Sequence, residues 1–270
     1  MLAELPLHLG ADVVTGLAQA SGAILLCFVV VLLCRWSALR VGREAAVSIA
    51  RGFVQMVAVG IVLALLLRAS LPVAVAILVL MTVAAAWTAF RRAERTKRAL
   101  FISFVAIAVG SGTVITVMLA TGTLRSSIAM LVPVGSMIIA NAMNACGQAV
   151  ERFNSDVTAH TGHIEARLAL GASPSAAVAP YVASAVYASL LPRLDMLKSL
   201  GLVWIPGVMA GMMLSGASPV YAGIYQFILV AMILAASGIT GLVAILLMRG
   251  QAFSPAAQLQ LRPRQEAELR

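Results

Sequence analysis

Residues 141–180 read NAMNACGQAVERFNSDVTAHTGHIEARLALGASPSAAVAP, and this stretch decides the fold. An apolar helix that carries asparagines runs into a charged linker, and the linker runs into a short helical segment, EARLALGASP. The rest of the chain is nearly all apolar enough to span a membrane. A polar insert in such a chain gives a soluble partner a surface to hold, which is typical of a membrane protein driven from outside the bilayer.

The composition indicates a membrane protein. The 270 residues are 61% hydrophobic and 11% charged, and the mean hydropathy is +1.00. Soluble domains carry about 25% charged residues. A membrane-crossing helix needs about 20 mostly apolar residues. Seven stretches reach or approach that length: residues 17–34, 47–67, 71–90, 99–120, 128–147, 199–215 and 220–248.

These stretches predict an all-α, polytopic membrane helical bundle with about seven transmembrane helices. They take up most of the chain, so we expect a single transmembrane domain over residues 1–250. The tail, residues 251–270, is rich in Gln, Arg and Glu and is predicted to be disordered.

The basic residues predict the orientation, because cytoplasmic loops carry an excess of Lys and Arg. Clusters of arginine follow the first, third, fifth and seventh stretches, while the opposite side shows only Arg68 and Arg125. The N-terminus is therefore expected outside and the C-terminus inside, in the inner (plasma) membrane. The net charge of +9 follows from this topology, so the lipid bilayer is an expected partner and nucleic acid is not.

The largest inner segment, residues 149–198, is predicted to be cytoplasmic or interfacial. It holds three helical segments, at residues 150–157, 164–170 and 181–191. The third segment ends at Pro192 and has too few residues to cross a bilayer, so we expect it to be interfacial or half-inserted. Three charged residues mark the water boundary that follows, Arg193, Asp195 and Lys198.

The fifth stretch carries a polar stripe on one helix face, because its members lie three or four residues apart. The members of the stripe are Met137, Asn141, Asn144, Gln148 and Glu151. Asparagine in hydrocarbon is unfavourable unless it is hydrogen-bonded or faces water. The stripe therefore lines a transport pathway or subunit seam, or it holds the bundle together by hydrogen bonds between helices.

Two other stretches carry unusual residues. In the second stretch, Arg51 and Gln55 share one face; Arg51 either snorkels to the interface or reaches inward to a polar partner. In the sixth stretch, Pro206 and Gly207 are expected to interrupt the helix. A broken membrane helix marks a transport site or a simple packing kink.

The short inner helix carries signals for its own ends. Glu165 is predicted in its first turn, where the helix dipole favours a negative charge. Gly171 is expected to end this helix, and Ser173 and Pro174 to be the N-cap and first residue of the next. We expect a rigid helix–Gly–helix elbow on the cytoplasmic face, which either docks a partner or is a plain connector.

Missing motifs exclude several function classes. The sequence has no G-x-x-x-x-G-K-[ST] loop for ATP, and no H-E-x-x-H or G-x-S-x-G motif of hydrolases. No carboxylate lies in a hydrophobic stretch. We predict that this chain is not an enzyme and has no metal site, because His160, His163 and Glu165 have metal-like spacing without a further ligand nearby.

Four segments carry a resemblance to a known family: RGFVQMVAVG (51–60), MIIANAMNACGQAVERFNSDV (137–157), IEARLALGASP (164–174) and LPRLDMLKSLGLVWIPGVMAGMMLSGASP (191–219). The sequence resembles, over nearly its whole length, the FetB-type permeases of ABC transporters. That family is linked to iron export in bacteria, and its plant relatives are associated with aluminium tolerance.

The resemblance implies a permease subunit that works with a separate cytoplasmic ATPase, as two copies of each. ATP and magnesium would belong to the ATPase, and no cofactor is expected in this chain. The segment Glu165-Ala166-Arg167-x-x-x-Gly171 resembles the E-A-A-x-x-x-G docking loop of ABC importer permeases, although its third residue is Arg. The expected docking residues are Glu165, Ala166, Arg167, Gly171, Ser173 and Pro174.

For the transport pathway, the candidate residues are Arg51, Gln55, Met137, Asn141, Asn144, Pro206, Gly207 and Gln226. Export of iron, or of another metal or small solute, follows from the resemblance alone, because these residues offer amides and thioethers instead of the carboxylate, imidazole or thiolate ligands of iron. One alternative is an autonomous secondary transporter or channel without an ATPase. The other is a structural or signalling seven-helix protein whose elbow binds a different partner.

Overall fold

The computed structural model describes residues 8–36, 42–66, 71–92, 98–254 and 258–260. Over these residues the backbone forms nine α-helices and, apart from two isolated β-bridges, no β-structure. The helices are α1 (His8–Trp36), α2 (Gly42–Leu66), α3 (Leu71–Arg92), α4 (Ala99–Ala120), α5 (Ile128–Ala159), α6 (Thr161–Ala169), α7 (Pro174–Ser199), α8 (Gly207–Leu214) and α9 (Pro219–Arg249). The predicted all-α class is confirmed.

The chain divides into two compact units, Met1–Arg68 and Ala69–Arg270. In the first unit, α1 and α2 pack against each other. Both helices expose apolar side chains, such as Leu25 and Phe28, along most of their described length. The single domain predicted for residues 1–250 stays a prediction.

In the second unit, α5 and α9 are the central helices. In the most apolar window of each, 50% of the residues are buried, compared with 33%, 39% and 22% in α3, α4 and α7. Helix α9 packs on α4, α5 and α7, and α5 also packs on α3 and α7. Helices α5 and α7 are antiparallel. Ser184 of α7 bonds to Asp156 of α5, whereas Arg193, later in α7, bonds to Asn141, earlier in α5.

Glycines bring two helix pairs of this unit into close contact. A Cβ atom at Gly241 of α9 would lie 2.8 Å from Ser189 Oγ of α7, and one at Gly110 of α4 would lie 2.8 Å from the Ala236 carbonyl oxygen of α9. Small residues let helix backbones approach in this way in membranes. The three helices α4, α7 and α9 are therefore tightly packed at these points.

Five helices among the described residues are long and apolar enough to cross a membrane. They are Leu71–Arg91, Ala99–Ala120, Ile128–Ala159, Pro174–Ser199 and Pro219–Arg249. Two shorter apolar helices, Ala18–Leu33 and Ala45–Ile61, lie within α1 and α2. The membrane-embedded helical class is thus supported, while the count of about seven and the orientation stay predictions.

The prediction of a separate short helix at residues 181–191, ended by Pro192, is wrong, while its placement relative to the bilayer stays a prediction. These residues belong to α7, which continues through Pro180 and Pro192 to Ser199. Each proline removes one backbone donor, but membrane helices tolerate this because neighbouring groups satisfy the freed carbonyl. The 26 residues of α7 are long enough for a hydrocarbon core of about 30 Å at 1.5 Å per residue.

The sixth predicted span, residues 199–215, is also wrong as a continuous helix. Residues 200–206 are not helical, and Pro206 precedes α8, which has only 8 residues. The predicted interruption at Pro206 and Gly207 is therefore present, but it separates α8 from α7 altogether. Proline fixes its own φ and disfavours helix in the residue before it, which accounts for the start of α8 at Gly207.

The fifth span and the helix predicted at residues 150–157 are one element. Helix α5 runs for 32 residues from Ile128 to Ala159. The charged residues after Gly147 therefore continue the membrane helix as a rigid extension. No glycine or proline follows Gly147 within α5 to break it.

Backbone hydrogen bonds join described residues at the start of the tail, whose predicted disorder stays a prediction. The Gln260 N–H donates to the Ala252 carbonyl at 2.8 Å, and the Ser254 N–H donates to the Gln258 carbonyl at 2.8 Å. Ala252 is buried, so this part of the tail packs against the unit. Residues 261–270 lie outside the described residues, and so do the basic loop residues 37–41 and 93–97.

Candidate functional site

The tetrapeptide Gly-Ala-Ser-Pro occurs twice and forms the same helix–helix junction each time. It stands at residues 171–174 between α6 and α7, and at residues 216–219 between α8 and α9. We call residues 161–174 the first elbow and residues 207–219 the second elbow. The first elbow is the predicted docking segment.

Backbone geometry ends α6 as the sequence predicted. Gly171 has φ +89°, a left-handed conformation that glycine adopts without steric cost. The Gly171 N–H donates to the Leu168 carbonyl at 2.9 Å, and the Ala172 N–H donates to the Arg167 carbonyl at 3.0 Å. This pair of bonds is a Schellman motif, which satisfies the last carbonyls of a helix.

The start of α7 also confirms the prediction. Ser173 is the N-cap, and its side-chain oxygen accepts from the Ala176 N–H at 3.3 Å. Pro174 is the first helical residue. The predicted place of Glu165 is wrong, because α6 begins at Thr161 and has no acidic residue in its first turn. Glu165 lies in the second turn, beyond the range in which the helix dipole acts strongly.

The first elbow is fixed to the bundle by one buried side chain and a polar network. Ile164 is completely buried. Asp156, at the end of α5, accepts from Arg152 Nε at 3.1 Å and from Ser184 Oγ of α7 at 3.0 Å, both through Oδ2. Because Asp156 is buried and joins two helices, α6 is mounted on a rigid base.

Two histidines add a second connection between the elbow and α7. The His160 ring stacks on Tyr181 with centroids 5.1 Å apart, and His163 Nδ1 lies 3.0 Å from the Tyr181 hydroxyl. His160 Nδ1 also lies 2.8 Å from the Asp156 carbonyl oxygen. These histidines therefore have protein partners on α5 and α7.

The outer face of the first elbow is open, and it combines polar residues with the apolar Leu170, which is 89% exposed. Glu165, Ala166, Gly171 and Ser173 are exposed, and Arg167 and Pro174 are half-buried. A cavity of about 450 Å³ lies beside it, between the start of α7 and the end of α9. Its lining residues are Pro174, Ser175, Arg249, Gly250, Phe253 and Ser254. All six predicted docking residues thus lie within one short segment next to a groove.

The polar stripe of α5 (Met137, Asn141, Asn144, Gln148 and Glu151) faces partly inward. Its first four members are half-buried and Glu151 is exposed. Asn141 Nδ2 donates to the Met137 carbonyl of its own helix at 2.8 Å. Gln148 Oε1 is buried without a hydrogen-bond partner. The stripe therefore contains polar side-chain atoms that take no part in hydrogen bonds between helices.

Arg193 is the functional candidate that the sequence analysis placed wrongly. It was expected at the water boundary, but it is 6% exposed and Nη2 donates to the Asn141 carbonyl at 3.3 Å. The spacing carried a signal: Ala185, Ser189 and Arg193 are four residues apart and all three are buried, so they form one inward face of α7. The expected break at Pro192 hid that spacing.

The remaining pathway candidates lie at separate places. Gln226 on α9 is buried, and its Oε1 has no hydrogen-bond partner. The hydroxyl of the adjacent Tyr225 also has no hydrogen-bond partner. Pro206 is buried and Gly207 is exposed at the start of α8. Arg51 and Gln55 belong to α2 of the first unit and are exposed.

Helix α8 carries two glycines four residues apart, Gly207 and Gly211. A Cβ atom at Gly207 or Gly211 would meet no atom within 4 Å, so α8 makes no close helix contact through them among the described residues. In the same part of the chain, no group of three or more His, Cys, Asp or Glu side chains is placed to hold a metal ion.

A protein-family model matches residues 17–253, and its description is "Uncharacterised protein family (UPF0014)". The chain belongs to the UPF0014 family. The UPF0014 chain is 30% identical over 240 residues to the "Probable iron export permease protein FetB" of Escherichia coli strain K12, which covers 88% of this chain and 92% of that protein. The resemblance noted from the sequence is therefore confirmed.

Two plant proteins are also similar to the UPF0014 chain. It is 31% identical to the "UPF0014 membrane protein STAR2" of Oryza sativa subsp. japonica, over 80% of this chain and 76% of that one. It is 28% identical to "Protein ALUMINUM SENSITIVE 3" of Arabidopsis thaliana, over 91% of this chain and 90% of that protein. No solved structure matches this UPF0014 protein significantly.

Proposed function

We propose that this UPF0014 chain is the membrane permease subunit of an ATP-driven ABC transporter, and that a separate cytoplasmic ATPase docks on the first elbow. The observation that supports this most is the mounting of α6. Its outer face, which carries Glu165 and ends at Leu170, is exposed, while Ile164 and the Asp156 network fix it to α5 and α7. A plain connector has no need of a rigid base under an exposed helix.

The membrane topology that fits this proposal has seven crossings, by α1 to α5, α7 and α9. Helix α7 replaces the sixth stretch of the sequence prediction, so the number of crossings and the side of each terminus are unchanged. The N-terminus would be outside and the C-terminus inside, in the inner membrane, with the first elbow on the arginine-rich inner side.

Coupling would work through the helices that carry the elbow. A force on α6 reaches α5 through Asp156 and α7 through Ser184 and Tyr181. Both helices contain internal prolines, Pro133 in α5 and Pro192 in α7, and prolines are places at which helices bend. ATP binding to the ATPase would favour one of two arrangements of these helices by binding it more tightly.

The proposed activity is export of iron or of another metal or small solute, because the E. coli relative is named a probable iron export permease. Two permeases and two ATPases would form the complex, with ATP and magnesium in the ATPases. The pathway would run along the polar stripe of α5, in which the side-chain oxygen Oε1 of Gln148 has no hydrogen-bond partner.

The docking proposal is tested by charge reversal on the elbow. Glu165→Arg should abolish copurification with the partner ATPase, and coupled ATP hydrolysis should be lost, since Glu165 is exposed on α6. Asp195→Arg is the matched control, because Asp195 is an exposed carboxylate at the other end of α7. If Glu165→Arg assembles as well as the control, docking on this elbow is refuted.

The alternative without an ATPase has its own test. Proteoliposomes that contain this chain alone should not accumulate solute against a gradient. Uphill transport by the isolated chain would favour an autonomous secondary transporter.

A further inference from the structure

Arg193 places a positive charge inside the second unit. It is 6% exposed and lies one turn after Ser189, which is completely buried. A guanidinium carries five N–H donors. One on Nη2 bonds the Asn141 backbone carbonyl at 3.3 Å, and the buried Nε–H has no acceptor. The group therefore has donors to spare although the side chain is buried.

No carboxylate offsets this charge in the part of the chain that the structure describes. The two ion pairs there join Arg152 to Asp156 and Lys198 to Asp195. Arginine stays protonated in proteins, so the charge cannot be removed by loss of a proton. A buried charge without a counter-charge is strongly unfavourable, and in membrane helices such residues mark substrate pathways.

The guanidinium lies against a member of the polar stripe of α5. It contacts α5 at Asn141, a member of the polar stripe, well inside the apolar residues 128–147. Along the same face, Asn144 is half-buried and Gln148 has a buried Oε1 without a partner. A buried guanidinium with unused donors is complementary to an anion that carries several oxygen atoms.

We propose that Arg193 anchors a binding site for a carboxylate-bearing anion, a di- or tricarboxylate either free or as its metal chelate. The planar guanidinium binds a carboxylate through two parallel hydrogen bonds, which a backbone carbonyl cannot match. That this site lies on a transport path rests on the proposed function. The site then identifies the class of solute that is carried.

This site has a direct consequence for the form of a metal cargo. A bare divalent cation is repelled by a guanidinium that it must pass at close range. A metal bound by a polycarboxylate carries negative or reduced charge and presents the oxygen atoms that Arg193 binds. A transported metal would therefore move as its anionic chelate.

The site is closed in this arrangement of the helices, because Arg193 is buried between α5 and α7. Pro192, directly before it, leaves α7 without one helical hydrogen bond. Bending at this point would separate Arg193 from Asn141 and admit the ligand.

The test uses the purified full-length chain without any ATPase, so that a failure here leaves the docking proposal intact. Binding of citrate, ferric citrate, Fe²⁺ kept reduced by ascorbate, and uncharged trimethyl citrate is measured by calorimetry. Wild type should bind citrate or ferric citrate, and neither Fe²⁺ nor the ester. Arg193→Gln should weaken that binding at least ~30-fold, and Arg193→Lys should weaken it less.

Two further variants separate ligand binding from a structural role. Lys198→Gln removes an exposed charge from the same helix and should bind as wild type does. Arg193→Met should lose binding while the thermal midpoint of the ligand-free protein stays equal or rises, since an uncompensated charge is removed.

The proposal is overturned if Arg193→Gln binds citrate as tightly as wild type, or if no carboxylate probe binds. It is also overturned if Fe²⁺ binds alone and citrate does not. A lowered midpoint in Arg193→Met with unchanged binding would make Arg193 a structural link between α5 and α7.

Discussion

The two elbows share four residues and a backbone conformation, yet they present different surfaces. Gly171 and Gly216 have φ +89° and +90°. In each elbow the residue after the glycine donates to the carbonyl five residues before it, at 3.0 Å, and a serine then caps the next helix. The tetrapeptide Gly-Ala-Ser-Pro is thus sufficient to form the same turn in two places.

The helices that precede the two turns differ. Helix α6 exposes Glu165, is followed by the exposed Leu170, and is anchored through the buried Ile164. Helix α8 buries no residue and exposes apolar side chains, among them Val208 and Leu214. The comparison teaches that a turn is set by its own few residues, whereas its role depends on what its helix buries and what it presents.

The largest effect is expected at Ile164, because only the first elbow is anchored by a buried side chain. Ile164→Ala should lower the free energy of unfolding by about 2–5 kcal/mol, because it leaves a cavity under α6. Val208→Ala in the second elbow should cost about 0.5 kcal/mol or less, since Val208 is exposed. Unfolding in mixed detergent micelles, with hydrogen exchange of the α6 amides, measures both. Equal losses would mean that the first elbow is not anchored by Ile164.

The next effect concerns the network beneath the first elbow. Asp156→Asn should destabilise by about 1–3 kcal/mol, because it removes the ion pair with Arg152 and weakens the bond from Ser184. Asp195→Asn is the control, since its pair with Lys198 is exposed and worth about 0–1 kcal/mol. The same unfolding measurement applies. If both variants lose equally little, the network does not stiffen the elbow.

The glycines should separate stability from function. Gly171→Ala and Gly216→Ala should each cost about 1–2 kcal/mol, because both glycines are left-handed and neither has a neighbour that a methyl group would strike. Stability should therefore fall equally. ATP hydrolysis by the assembled complex should fall only for Gly171→Ala. Equal loss of hydrolysis in both variants would contradict a special role of the first elbow.

The smallest effect is expected at the caps. Ser173→Ala and Ser218→Ala should each destabilise by about 1 kcal/mol or less, since the bonds from the Ala176 and Tyr221 N–H groups are long, 3.3 and 3.4 Å. Thermal midpoints of the two variants should agree. A clear difference between them would show that the surroundings, and not the tetrapeptide, determine the strength of the turn.

Local signals in the sequence predicted the first elbow well. Gly171, Ser173 and Pro174 act through bonds to residues within five positions, so their roles could be worked out without a tertiary structure. Glu165 was misplaced by one turn because α6 begins at Thr161, and no N-cap side-chain bond marks that start.

Helix α7 could not be predicted in the same way. Its prolines and the charged residues at its end resemble the boundaries of a short interfacial helix, and Pro206 lies within the stretch that looked like the next span. Packing against α5 and α9 holds the chain helical through Pro192. Once α7 is continuous, Arg193 is on its inward face, so one error about the helix concealed the buried charge.

The sequence by itself determined a helical membrane protein, the family resemblance and the turn of the first elbow, because hydropathy and capping are properties of adjacent residues. The tertiary structure decided which helices form the centre, that α6 has a buried anchor, and that Arg193 lies against Asn141. These features depend on contacts between residues far apart in the chain, such as Asn141 and Arg193, which are 52 positions apart, and the spacing of residues along one helix does not reveal which neighbour covers its face.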